Sequence, residues 1–447
     1  MLGHYAALAL RGWRRTPVLT ALIVLALGLG IAACMTTLAI YHVLAADPIP
    51  AKSARLFNVQ LDAQPREGFG AEPNAQLTRY DAEALIRAAQ APRQVMMAGG
   101  SATLIAADGR TRLQVNTRRA TEAVFALLDV PLAAGQGWTH ADDATAAPVA
   151  VISTALAQRF FGDANPLGRT LTLADVPMDV VDGVPGRLGR TPLRIIGVIA
   201  SGWRPTPHYF DLAQGAYAKP ADLFLPFATA LALRQSFSGR LSCWGNTRGQ
   251  DPLSLAAPCD WVQYWAELAS PADAPAFLTY LNAYSAGQHE VGRFERPPNA
   301  RLTPVRAWLT QREVIPADVT LQVVLALAFL LVCLVNTVCL LLARTLRRAG
   351  EIGIRRALGA TRGAIFAQSL VESALLGLAG AALGVVLTLA GLAAVRGGRS
   401  DYATLVQMDG PVLAATLAIA LAASQVAGLW PAWRAAHLAP ALQVKTL

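Results

Sequence analysis

The chain has 447 residues, of which 54% are hydrophobic and only 15% charged, and its mean hydropathy is +0.39; an ordinary soluble protein of this length is far less apolar, so part of the chain belongs in lipid. The net charge of +9 would suit nucleic acid only if basic residues clustered on a soluble, aromatic-studded face. Many of them flank apolar segments instead, which argues against nucleic acid as a partner.

Residues 1–17 form a short segment with Arg11, Arg14 and Arg15 near its end, followed by an uncharged apolar run over 18–41. A helix needs about 20 such residues to cross the hydrocarbon core, so a first transmembrane helix is expected over 18–43. The basic approach resembles a signal peptide. The run is too long for one, however, and Ala45-Ala46-Asp47-Pro48 offers no clear small-x-small cleavage site, so it reads as an uncleaved anchor.

Residues 47–316 are long enough to fold on their own core, as an α+β domain of two subdomains. Strands are expected at 55–61, 149–152, 170–173, 193–199, 223–227 and 301–306, the first and last pairing with each other. Helices are expected at 80–89, capped by Thr78, from 153 through Phe161 to a stop at Gly162, and at 271–285. The Asp108-Gly109 pair between 102–107 and 112–116 marks a hairpin. Residues 182–192, 202–207 and the aromatic, Cys-containing run 242–265 read as loops. Trp203, Tyr209, Phe210, Trp244, Trp261 and Trp265 admit two readings, an apolar surface for a lipid, peptide or partner, or internal packing.

Three further apolar runs follow, giving spans at 319–343, 363–395 and 411–433 around a 344–362 connection and a short 396–410 loop, with a tail at 434–447. The fold class is therefore a membrane protein of four transmembrane α-helices with a large α+β periplasmic domain inserted between helices 1 and 2. Arg344, Arg347, Arg348, Arg355, Arg356 and Arg362 crowd the 344–362 connection, whereas the 396–410 loop has only Arg396 and Arg399. By the positive-inside rule both termini and that connection are cytoplasmic and 47–316 lies outside, in a bacterial inner membrane. Cys243 and Cys259 then face an oxidising compartment, where they are either disulfide-bonded or two free thiols.

The 347–360 stretch sets Ile352, Ile354 and Leu358 among Arg347, Arg348, Glu351, Arg355 and Arg356, the pattern of a short amphipathic helix at an interface, closed by Gly359. Its arginines also suit anionic lipid headgroups. In the third span Gly377, Gly384 and Gly391 recur at heptad spacing, and Gly380 with Gly384 makes a G-x-x-x-G pair, so this face packs on a neighbouring span or a second membrane subunit. Glu372 lies ten residues past Arg362, roughly 15 Å along a helix, and a carboxylate that deep needs a partner or water, as a structural hydrogen bond or a proton site. Asn336, Ser424 and Gln425 read as interhelical contacts. The six histidines form no hydrolase constellation and no metal-ligand spacing is visible, so neither a catalytic residue nor a metal site is expected. A P-loop needs G-x-x-x-x-G-K-[ST], and Lys52, Lys219 and Lys445 all lack it, so the chain is expected to hold no cofactor of its own.

The run E-I-G-I-R-R-A-L-G-A-T-R at 351–362, Q-S-L-V-E-S-A-L-L-G at 368–377 and P-A-W-R-A-A at 431–436 resemble the MacB-like and FtsX-like permeases of ABC systems. So do V-F-A-L-L-D-V-P-L-A-A-G at 124–135, V-A-V-I-S at 149–153, Phe160-Phe161-Gly162, Leu167-Gly168 and Ile196-Gly197-Val198, in that order; Asp129 and Gln136 stand where those motifs more usually have glycine and arginine. The resemblance implies a permease without a fused ATPase, working by mechanotransmission with a separate ABC ATPase that binds ATP and Mg. Arg347, Arg348, Glu351, Ile352, Ile354, Arg355, Arg356, Leu358 and Gly359 would form its coupling helix. A second permease copy or paralogue would complete a dimer, with a periplasmic adaptor or outer-membrane channel as further partners. Efflux or export of a peptide, antibiotic or lipophilic cargo is the leading expectation, and a non-transporting sensor or scaffold the alternative. A secondary transporter fits poorly, since its spans come as internal repeats.

Overall fold

A computed structural model describes residues 9, 11–67, 70–105, 109, 112–174, 190–212, 215–235, 237–245, 250–398, 405 and 410–437. Asp108 of the expected hairpin turn, residues 182–189 of an expected loop, Arg399 and the tail beyond 437 lie outside them. The chain divides into two compact units, Met1–Ala45 with Ile315–Leu447, and Ala46–Val314.

Helix α1 (Pro17–Leu44) is uncharged, and Pro17 opens it where a missing N–H costs nothing. The inserted domain begins with β1 (Leu56–Gln60), β2 (Leu77–Thr78), α2 (Arg79–Ala88), β3 (Arg93–Ile105) and β4 (Arg112–Ala120). It continues through α3 (Val124–Leu127), β5 (Leu132–Gly135), α4 (His140–Ala144), β6 (Val149–Ser153), α5 (Thr154–Phe161), β7 (Thr170–Ala174) and β8 (Arg190–Ile199). The rest is β9 (Leu223–Pro226), α6 (Phe227–Ala232), β10 (Phe237–Ser238), β11 (Ser242–Cys243), β12 (Cys259–Glu267), α7 (Ala274–Glu290), β13 (Arg301–Pro304) and α8 (Val305–Gln311). Local chemistry sets the helix starts: the Thr78 hydroxyl accepts the Asp81 N–H and the Ser153 hydroxyl the Leu156 N–H, each satisfying an orphan donor.

Among the described residues the main sheet runs β13-β1-β12-β3-β4-β9-β6-β8-β5. β1 and β13 pair antiparallel with Phe57 opposite Pro304, which ties the first and last strands of the domain together. The long β3–β4 hairpin joins two halves. Met96 and Ala98 of β3 belong to the core around Phe57, Trp261, Phe277 and Leu281, whereas Ala102 and Leu104 of the same strand belong to that around Ile152, Leu171 and Leu193. The halves thus share a strand pair and are not strung on a linker.

Two expectations need correction and one open alternative is decided. The run 242–265 is not a loop: its second part is β12, buried at every position. Because both faces of β12 are covered, W-V-Q-Y-W-A shows none of the alternation that marks a half-exposed strand. The aromatic set is packing and not a surface, with Tyr209, Phe210, Trp261 and Trp265 buried and Trp203 and Trp244 half-buried. Residues 190–192 belong to β8, where Thr191 opposes Leu173 and Pro192 opposes Thr172. Asp129, in place of the more usual glycine, adopts φ +50°, and its carboxylate lies 2.6 Å from the buried Lys52 ammonium, a contact glycine lacks.

Four helices among the described residues are long and apolar enough to cross a membrane: α1, α9 (Ala317–Arg347), α11 (Arg362–Arg396) and α12 (Gly410–Ala436). α1 packs against both α9 and α11, and α11 against α12. The glycine stripe of α11 serves two neighbours. A Cβ at Gly380 would come within 2.8 Å of Leu27, at Gly384 within 3.0 Å of Ile31 and at Gly391 within 3.0 Å of Thr36, all on α1, whereas one at Gly377 would run into Ser424 on α12. Asn336 makes no interhelical burial in this chain: α9 turns Leu330, Cys333, Thr337 and Leu341 inward and leaves Asn336 exposed.

Candidate functional site

The site is built by a sharp turn between the second and third spans. α9 runs past its apolar stretch to Arg347, and Arg348 (φ −101°, ψ 7°) breaks it from the short helix α10 (Ala349–Ala357). The amphipathic helix expected over 347–360 is thus shorter at both ends, because Arg348 forms the corner. Gly359 at φ +99° sits in the left-handed region where a side chain is strained, and so ends the turn. The Thr361 hydroxyl then accepts the Ala364 N–H at 3.2 Å and starts α11.

This reversal brings arginines of α9 and the corner onto Glu372 of α11. Arg344 Nη2 lies 2.7 Å from Glu372 Oε1 and Arg348 Nη1 lies 3.1 Å from the same oxygen. Arg344 is only 3% exposed, and a guanidinium buried that deeply is costly unless a carboxylate answers it. Its contact is an ion pair without hydrogen-bond alignment, and Nε and Nη1 have no hydrogen-bond acceptor. Arg348 also reaches this position because residue 12 is glycine: a Cβ there would fall on the Arg348 guanidinium.

The rim is more exposed. Arg15 Nη1 meets Glu351 Oε1 at 2.6 Å, with both side chains largely in solvent, so this pair orients more than it stabilises. Arg355 Nη1 donates to Gln368 Oε1 at 3.2 Å. Ile354 and Leu358 are exposed at 48% and 83%, and Leu346 at 53%; Arg347 is exposed beside them, while Ile352 and Arg356 are half-buried. The outward face of the turn thus offers apolar side chains edged by guanidinium groups. Of the residues expected to couple, Arg348 is turned inward onto Glu372 and Glu351 is already paired with Arg15.

Sequence reasoning singled out Glu372 as needing a partner but did not find Arg344, Arg15 or Gly12 in these roles. Nothing in their local sequence marks them, since each acts across a helix–helix contact. In the inserted domain β11 and β12 set Cys243 opposite Cys259, with the sulfurs 2.05 Å apart as a disulfide.

Four apolar spans, an α+β domain inserted after the first and an arginine-rich turn between the second and third define a multi-pass membrane protein. Residues 20–284 match the MacB-like periplasmic core domain and residues 323–440 the FtsX-like permease C-terminal region. The chain belongs to the MacB-like, FtsX-like permease family. It is 28% identical to the pyoverdine export ATP-binding/permease protein PvdT of Pseudomonas aeruginosa over 70% of this chain and 40% of that protein. It is also 28% identical to the macrolide export ATP-binding/permease protein MacB 1/2 of Paracoccus denitrificans, over 81% of this chain and 46% of that one. The chain therefore spans less than half the length of these curated relatives. The crystal structure of the periplasmic region of MacB from Actinobacillus actinomycetemcomitans aligns with 61% of this chain and 98% of its own, at 15% identity and a TM-score of 0.36.

Proposed function

We propose that this chain is the non-catalytic membrane subunit of an ABC-type export system and transmits the closure of an ATPase to the inserted domain. ATP and Mg are held by an ATPase outside these residues, which docks on the outward face of α10. The termini and α10 lie on the cytoplasmic side of the inner membrane and the inserted domain in the periplasm, following the arginine distribution. Two such subunits, identical or paralogous, work together, with a periplasmic adaptor or outer-membrane channel receiving cargo. Relatives named for macrolide export and pyoverdine export support export, of a peptide, antibiotic or lipophilic compound.

The observation that carries this reading is the exposure of Ile354 on α10 and of Leu358 just past it, beside Glu351 and Arg355, which tie the same stretch to the segment before α1 and to α11. Apolar residues left uncovered beside arginines suit a docking face, and the ties let a push on α10 reach α11 and the segment leading into α1. The test is affinity purification in mild detergent with Ile354→Asp and Leu358→Asp combined. The double variant is expected to lose the co-purifying ATPase and its stimulation; undiminished association would remove α10 as the docking helix.

A further inference from the structure

We infer that the cavity at the arginine-rich end of the spans is a binding site for a phosphate group, carried by an anionic lipid headgroup or free in solution. The inference goes beyond the coupling reading and needs no ATPase.

The cavity measures about 310 Å³ and is walled by α9, α10, α11, α12 and the segment before α1. Among the described residues, Arg11, Arg15, Arg344, Arg348 and Arg355 line it against two carboxylates, Glu351 and Glu372. The lining therefore carries surplus positive charge, and Glu372 is already shared between two guanidiniums. Arg344 is the decisive group: it is 3% exposed, lines the cavity, and keeps Nε and Nη1 without an acceptor. A charged donor buried with no acceptor is expensive to leave so, and a phosphate oxygen supplies the missing partner in the planar geometry that guanidinium groups favour. Gly12 belongs to the same construction, because any side chain there would displace Arg348 from the cavity wall. The lining also includes the apolar Leu341, Ile365, Pro431 and Ala432. A basic pocket with apolar residues in its lining at the end of membrane spans suits a lipid phosphate with its glycerol turned toward the bilayer.

The test uses the full-length chain, delipidated in mild detergent and studied by native mass spectrometry against dioleoylphosphatidylglycerol and dioleoylphosphatidylcholine, with inorganic phosphate in a parallel arm. Phosphatidylglycerol is expected to be retained about tenfold more than phosphatidylcholine, the worth of one or two charge-assisted hydrogen bonds. Arg344→Gln combined with Glu372→Gln, which removes the buried pair together, and separately Gly12→Leu, which alters no charge, are each expected to lower that retention about tenfold. Arg362→Gln, at the same end but outside the cavity lining, leaves it unchanged. Displacement of phosphatidylglycerol by inorganic phosphate at equal free concentration assigns the site to free phosphate, and failure to displace assigns it to lipid. Equal retention of the two lipids by the unmodified chain with no inorganic phosphate bound in the parallel arm, or undiminished retention in both cavity variants with far-UV dichroism intact, overturns the site. If the paired variant does not fold, Gly12→Leu decides alone.

Discussion

Replacing Glu372 by glutamine tests whether the arginine cluster is held by charge or merely sits near it. The substitution keeps size and shape but leaves Arg344, 3% exposed, with no counter-ion. Breaking one side of a buried pair costs about 3–5 kcal/mol. Glu372 and Arg348 are 15% and 19% exposed, so water reaches part of the cluster and the lower figure, about 3 kcal/mol, applies. In a unit of this size each kcal/mol moves the midpoint about 2–4 °C, which puts the expected loss at roughly 6–12 °C. Far-UV dichroism of the full chain in detergent during heating reads it. The second arm adds Arg344→Gln to Glu372→Gln: removing both charges of the pair should recover at least half the loss, since the two side chains are coupled. A single variant that melts within about 2 °C of the parent, less than 1 kcal/mol on the same scale, refutes the ion-pair account. So does a double variant whose loss equals the sum of the singles.

Three further outcomes are expected. In the inserted domain, burial and then the neighbouring Glu122 raise Asp143 from 3.8 to about 6, while its Oδ1 accepts the Ala228 N–H at 2.9 Å. Its ionised form is therefore disfavoured on folding, so its penalty is absent below the unfolded value and fully present above the folded one. Asp143→Asn, which keeps an acceptor for Ala228, should gain roughly 2–3 kcal/mol at about pH 8 and nothing below about pH 4; an equal gain in thermal midpoint at both ends would contradict this origin. Converting Cys243 and Cys259, 16 residues apart, to serine should cost the domain about 3 kcal/mol in urea, and free thiols at both positions in non-reduced peptide maps of the membrane-inserted protein would reject the bridge. Gly384→Leu, forced onto Ile31 at a site where a Cβ alone comes to 3.0 Å, should overpack the α1–α11 contact by about 1–3 kcal/mol. An unchanged melting midpoint would show that those helices do not pack so closely.

Much of this protein was legible before any coordinates, because lipid permits few solutions: a spanning segment must satisfy its own backbone, so four uninterrupted apolar runs could only be helices. The same holds for signals that act within a few residues, such as the hydroxyl of Thr78 at a helix start and Gly359 at the end of the turn. The arginine-rich turn was recognisable for that reason, but not that Ile354 and Leu358 would be exposed while Ile352 is half-buried. What no local pattern carried was the identity of partners brought together from far along the chain. β12 escaped notice because burial on both faces erases the alternation that announces a strand. The glycine stripe of α11 was visible, but its division between α1 and α12 was not. Glu372 advertised that it needed a partner or water, yet the choice of Arg344 and Arg348 depended on a corner at Arg348 folding one helix back toward the next. Hydrophobic length and capping are properties of a segment, and tertiary structure alone decides which buried charge meets which, since that pairing is set by chain reversal and packing and not by neighbours in sequence.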